Sequence, residues 1–156
     1  MLIRFLWIGE TKEGPYRELE DVYFRRVSRL VSCERVFVPE LKKSDPRSVA
    51  AQQDRESRLI ERKLDKDTFL VALDEKGKEL TSVQLADTLS AFMNRGVSNI
   101  TFLVGGFMGI PSTILEKSDL RMSLSRLTFP HELARVVLLE QFYRSLSIIK
   151  NLPYHR

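Results

Sequence analysis

Residues 99–106 read Asn-Ile-Thr-Phe-Leu-Val-Gly-Gly. The run to Val104 has the length of a strand and is apolar at successive positions. That pattern belongs to a strand covered on both faces, as in a parallel sheet flanked by helices. The run stops at Gly105 and Gly106. Without a Cβ, each lets a ligand or another chain segment approach the backbone closely.

Upstream, Thr68–Leu73 (TFLVAL) repeats the continuous apolar pattern, and Leu2–Ile8 (LIRFLWI) and Arg35–Val38 (RVFV) read as two further strands. Downstream, Leu120–Leu124 (LRMSL) reads as a fifth. Helical periodicity separates them. Pro15 opens a helix with Leu19, Val22, Tyr23, Val27 and Leu30 on one stripe. Residues 47–64 are polar and helix-favouring, after a loop from Glu40 to about Pro46. Asp74–Glu79 reads as a charged turn, and Thr81 or Ser82 caps a helix that ends near Arg95, with Gly96 behind it. A short helix over 111–117 and a long one from Pro130 to about Lys150 complete the alternation. Strand and helix in strict succession predict an α/β fold with a mostly parallel sheet.

In such folds ligands bind outside the carboxyl ends of the strands. Three strand ends stand out here: Leu73-Asp74, Val104-Gly105-Gly106, and Leu124-Ser125-Arg126-Leu127-Thr128-Phe129. In the last, backbone groups suit an adenine edge, and Leu124, Leu127 and Phe129 supply apolar walls. Gly105–Gly109 lacks the spacing of a dinucleotide fingerprint, and no Gly-Lys-Ser/Thr marks a P-loop. The final helix is apolar on most sides, which predicts burial by its own sheet and by a second surface, most simply another copy of the chain. Glu140 and Arg144 stand four apart and can pair. The tail Tyr154-His155-Arg156 is polar and terminal, so its composition predicts fraying. Its side chains nonetheless suit phosphate binding, base stacking and proton transfer.

The composition is that of an ordinary globular chain: 43% hydrophobic and 29% charged over 156 residues, a length that suits one domain spanning 1–156. Twenty-five Lys and Arg against 21 Asp and Glu give a net charge of +4, a mild excess that fits a polyanion such as RNA. Cys33 is the only cysteine, so no intrachain disulfide forms, and Cys33 with two histidines makes a poor metal-ligand set. No apolar run approaches the roughly 18 residues of a transmembrane helix. The apolar start lacks the layout of a signal peptide. The expectation is a cytoplasmic protein, with no membrane association and no metal.

Four ordered motifs carry a resemblance over essentially the whole length. They are Phe102-Leu103-Val104-Gly105-Gly106; Ser123 to His131 (SLSRLTFPH); Glu140-Gln141-Phe142-Tyr143-Arg144; and Pro153-Tyr154-His155-Arg156. Together, with Leu73–Lys78 upstream, they resemble the family of ribosomal RNA large-subunit methyltransferases H, pseudouridine N3-methyltransferases of the SPOUT class. The resemblance implies a Rossmann-like domain with a C-terminal trefoil knot, working as a homodimer on RNA of the assembled ribosome. It implies S-adenosylmethionine as cofactor, held by Leu73, Gly105 and the loop Leu124, Ser125, Arg126, Leu127, Thr128 and Phe129. The catalytic set it implies is His155, Arg156, Tyr154 and Arg144, near the dimer interface, with His155 as a proton acceptor. Two places depart from the family pattern: Glu10 follows Gly9 where Lys is common, and Phe107-Met108 occupy the glycine loop. The competing expectation is a non-catalytic RNA-binding or ribosome-assembly module on the same fold.

Overall fold

The structure, a computed structural model, describes residues 1–41 and 49–155. Most of the loop expected between Glu40 and Pro46 lies outside the described residues, as does Arg156.

The chain runs β1 (Leu2–Ile8), α1 (Gly14–Ser28), β2 (Cys33–Val38), α2 (Val49–Glu61), β3 (Phe69–Glu79), α3 (Ser82–Asn94), β4 (Asn99–Val104), α4 (Ser112–Lys117), β5 (Leu120–Ser123) and α5 (His131–Ile149). The five strands form one sheet in the order β2-β1-β4-β3-β5, and every neighbouring pair is parallel. The α/β expectation therefore holds, with β1, β4 and β3 inside the sheet.

Because side chains alternate across a strand, each strand feeds two cores. On one face Ile3, Phe5, Trp7, Phe102 and Val104 pack with Leu89 of α3 and with Leu138, Phe142 and Leu146 of α5. On the other face Leu6, Ile8, Leu70 and Leu103 meet Ile60 of α2 and Ile114 of α4. Phe142 meets Phe5 and Phe102 edge-to-face, with ring centroids 5.1 and 4.8 Å away. Such contacts add about 1 kcal/mol per pair to the burial of the rings.

The helix ends follow local chemistry. Thr81 and Gln84 form a reciprocal capping box at α3. Gly96, at φ +70°, ends that helix in the left-handed turn its position predicts. Asn151 plays the same part after α5: its φ is 54°, and the Leu152 N–H reaches back to the Ser147 carbonyl at 2.8 Å. This is a Schellman closure with Asn in place of Gly.

A buried polar chain ties α1 and α5 to the end of β1. Trp7 Nε1 donates to Glu20 at 3.0 Å, Thr11 bonds the same carboxylate, and Arg35 pairs with it at 3.0 Å. Arg135 is fully buried; it donates to Thr11 Oγ1 at 3.0 Å and to the Ile8 carbonyl at 2.6 Å. One turn earlier, Glu132 accepts from the Lys12 and Glu13 N–H groups at 2.8 and 3.2 Å. It caps the approach to α1 where Glu13 itself makes no side-chain cap.

Three expectations need correction. Asp74–Glu79 is not a plain turn but the far part of β3. Leu73 and Lys78 both register with Met122, so the intervening residues bulge out between two paired stretches. Gly77 makes this possible, since a Cβ there would lie 2.7 Å from the backbone of Arg121 and Met122. Leu19 is exposed rather than on the buried stripe of α1, whose fully buried positions are Glu20 and Val27. The tail is not frayed at Tyr154, which is held by side chains of α1 and α5.

Candidate functional site

A cavity of about 600 Å³ lies where the first paired stretch of β3 gives way to its bulge, beside the carboxyl ends of β4 and β5. Leu73 and Asp74 enter it from β3, Val104 and Gly105 from β4, and Ser123 from β5. The loop after β5 forms its far wall, and the first turn of α5 closes it with His131 and Ala134. Gly105 has no room for a side chain: a Cβ would stand 2.6 Å from the Gly109 carbonyl carbon. The chain turns back there, with the Gly109 N–H donating to the Gly106 carbonyl at 3.0 Å and Phe107 and Met108 at the corner. Phe107 is 65% exposed, beside the cavity mouth.

The post-β5 loop has no ladder to satisfy its backbone. Ser125 organises it locally, its hydroxyl accepting from the Leu127 N–H at 2.9 Å while Ser123 Oγ donates to the Ser125 carbonyl at 2.9 Å. The same loop brings Leu124, Leu127 and Phe129 to the cavity wall. Apolar surfaces with a few polar edges, in a space of this size, suit a small heterocyclic ligand.

Of the eight residues expected to hold a cofactor, Leu73, Gly105, Leu124, Ser125, Leu127, Thr128 and Phe129 line this cavity. Arg126 does not. Its side chain is 88% exposed and pairs with Glu79 at 3.1 Å. Sequence reading left His131, Asp74 and Glu75 out of the binding set, although all three line the cavity. His131 was legible as the residue after the Pro130 stop. Asp74 was marked as a strand end but not as a ligand contact, and Glu75 was hidden by reading 74–79 as a charged turn. Burial and then the Arg135 cation hold the His131 imidazole below its ordinary value, so it is neutral near pH 7.

The expected catalytic residues gather elsewhere. Arg144 Nε and Nη2 donate to Glu140 Oε1 at 3.0 and 2.5 Å. Tyr154 OH donates to the same oxygen at 3.1 Å, and the Arg144 guanidinium stacks 5.0 Å from the Tyr154 ring centre. Tyr143 packs edge-on against that ring at 4.6 Å, and the hydroxyl of Tyr23 lies 3.5 Å from that of Tyr154. Burial, then the Tyr23 and Glu140 neighbours, push the Tyr154 phenol well above its usual range, so it remains protonated. His155 follows, exposed. Ala134 and Arg144 are ten residues apart on α5, roughly 15 Å of helix rise. Within one chain the tail cluster and the cavity are thus separate.

Among the described residues, no group of three or more His, Cys, Asp or Glu is placed to hold a metal ion, and no helix is long and apolar enough to cross a membrane.

A wholly parallel sheet with a glycine-bordered cavity at its carboxyl edge is the arrangement in which α/β proteins take small ligands, and the basic, aromatic tail stands apart from it on the same chain. The chain belongs to the SPOUT methyltransferase family: the family model described as "Predicted SPOUT methyltransferase" matches residues 1–155. It is similar to the ribosomal RNA large subunit methyltransferase H of Acetivibrio thermocellus, at 38% identity over 159 residues and 100% of both chains. It is also similar to the ribosomal RNA large subunit methyltransferase H 1 of Clostridium perfringens strain SM101, at 35% identity over 100% of both. A solved structure of a probable methylase family protein from Haemophilus influenzae superposes with a TM-score of 0.61 at 12% identity, covering 99% of this chain and 70% of that one. At that identity the likeness speaks for the fold. A C-terminal trefoil knot is consistent with this family and fold.

Proposed function

We propose that this chain transfers the methyl group of S-adenosylmethionine to N3 of a pseudouridine in large-subunit ribosomal RNA. It works in the cytoplasm as a homodimer, each copy a single domain, with the assembled ribosome as substrate. The observation that carries the reading is the cavity of about 600 Å³, lined by seven of the residues that the family resemblance marks for the cofactor. The names of the full-length relatives support the RNA target.

The cavity's chemistry fits the cofactor. Leu73, Leu124, Leu127 and Phe129 offer apolar walls for an adenine, and the loop backbone offers hydrogen-bonding edges. Asp74 and Glu75 suit ribose hydroxyls and an ammonium group. When bound, the sulfonium supplies an electrophilic methyl group.

The protein must orient the imide nitrogen and ease loss of its proton. His155 accepts that proton; Arg144 and Arg156 hold phosphate or the negative charge developing on the base; Tyr154 stacks on the base or bonds to it. Separation of the tail from the cavity within one chain favours a site completed by a second copy. So does the outer stripe of α5, where Leu133, Val137 and Ile148 are only half-buried. Mass spectrometry of ribosomal RNA from cells with and without the gene tests the reading. Loss of one methyl from one pseudouridine supports it; an unchanged modification pattern refutes it. His155→Ala should abolish methylation while leaving cofactor affinity intact, and full activity would remove the proton-acceptor role.

A further inference from the structure

A second cavity, about 730 Å³, opens at the carboxyl ends of β1 and β2 and shares Gly106 and Phe107 with the first. Ile8, Val38 and Pro39 give it apolar walls, and Lys12 and Arg17 stand on its lining. Three acidic residues, Glu10, Glu40 and Glu56, also line it. Glu40 is occupied: it accepts from Lys12 Nζ at 3.2 Å and from the Phe107 N–H at 3.5 Å. Glu56 is not. The residue is 4% exposed, no hydrogen bond or ion pair reaches its carboxyl from the described residues, and its oxygens keep access to the cavity. Burial and then the nearby Glu40 push that carboxyl above its ordinary value.

A nearly buried carboxyl with no donor from the protein takes its hydrogen bonds from whatever fills the cavity, water or a ligand. Since no described residue supplies a donor, the open cavity is the side from which one can come. The cavity adjoins the proposed cofactor site across two residues of the glycine loop, has apolar walls for a ring, and carries cations for a phosphate. Pseudouridine differs from uridine by one donor: it presents N1–H where uridine presents C5–H, while both carry N3–H. On the pseudouridine ring N1 and N3 flank the C2 carbonyl, so one can point inward while the other faces the methyl group.

We propose that this second cavity receives the target base and that Glu56 accepts its N1–H, making Glu56 the residue that distinguishes pseudouridine from uridine. This assignment rests on the function proposed above. Uridine in the same place sets a C–H against Glu56 and leaves the carboxyl unsatisfied, the kind of mismatch that buried polar sites reject most strongly.

The test measures kcat/KM for assembled ribosomes whose large-subunit RNA carries either pseudouridine or uridine at the target position. Wild-type protein should prefer pseudouridine by at least about tenfold. Glu56→Leu should bring the ratio to within about threefold of unity, by loss on pseudouridine with uridine little changed. Glu56→Gln, which keeps a carbonyl acceptor, should lie between. Calorimetry should find S-adenosylmethionine bound equally by all three, which confirms folding. A wild type without preference, an unchanged ratio in Glu56→Leu, or an equal fall on both substrates overturns the assignment. Wild-type protein that binds the cofactor but methylates neither substrate overturns the functional reading itself, and the assignment with it.

Discussion

The hydroxyl of Tyr154 donates to Glu140 Oε1 at 3.1 Å, and Arg144 grips the same oxygen from the next turn of α5. One carboxylate thereby fixes both an aromatic ring and a guanidinium of the tail cluster, and it sets where His155 begins. Glu140→Gln weakens two charge-assisted bonds at once. Amide exchange over residues 151–155 should quicken, and methylation should fall by about tenfold or more, while cofactor affinity stays within about twofold. Unchanged exchange in the variant would mean that the tail is held by ring packing alone.

Gly105 and Gly14 offer a matched pair. A Cβ on Gly105 meets the backbone of Gly109 at 2.6 Å, and backbone cannot swing aside as a side chain can. Gly105→Ala should therefore open the loop and weaken S-adenosylmethionine binding by about tenfold or more, the scale of a displaced ligand contact. Gly14 opens α1 with a negative φ, and a Cβ added there would meet nothing within 4 Å. Gly14→Ala should leave binding untouched and add up to about 1 kcal/mol of stability by restricting the unfolded chain. Calorimetry and urea unfolding read the two effects.

Arg135 sits fully buried and donates to Thr11 and the Ile8 carbonyl, while its Nε finds no partner among the described residues. Burial lowers its pKa, and the surrounding Glu20, Glu132 and Glu40 act against that. Arg135→Ala removes the donors to Thr11 Oγ1 and the Ile8 carbonyl, takes a cation from near Glu20 and Glu132, and opens a cavity under β1. Loss of about 3–5 kcal/mol is expected, read as a lower urea midpoint. A loss below about 1 kcal/mol would show that water replaces the guanidinium.

Acid sensitivity follows from the first turn of α5. His131 titrates below its ordinary 6.5, through burial and then Arg135. For Glu132, burial pushes the carboxyl up, but the Lys12 and Glu13 N–H groups outweigh it and the net shift is down from 4.5. Both groups resist protonation more when folded than when unfolded. Their stabilisation is present above the unfolded values and is lost as pH falls through the folded ones. Stability should decline below about pH 6.5 and again below about pH 4.5. In urea titrations His131→Gln should flatten the first decline and Glu132→Gln the second.

The sheet was readable because β1, the first part of β3 and β4 are apolar at successive positions, and runs such as Phe102-Leu103-Val104 suit a strand covered by helices on both faces. The cavity residues were readable because glycine at a strand end and an irregular loop before Pro130 mark close approach. Strand order was not readable: parallel pairing of β3 with β5 depends on contacts far apart in the chain. The β3 bulge escaped for a different reason, since its residues are charged and only the Gly77 crossing over Arg121 and Met122 makes them strand. Arg126 entered the cofactor set with its loop through the family resemblance; its side chain pairs with Glu79 rather than lining the cavity. Glu56 sat in the least informative segment, where nothing in a polar helix pattern distinguishes a buried carboxyl from a solvated one.

All of the proposed chemistry requires S-adenosylmethionine to sit in the cavity bounded by Leu73, Gly105 and the Leu124–Phe129 loop. Calorimetric titration of the intact chain with that compound decides the matter. Saturable binding at one site per chain is expected, lost or strongly weakened in Gly105→Ala. Absence of binding heat, or binding that Gly105→Ala leaves unaltered, would contradict it.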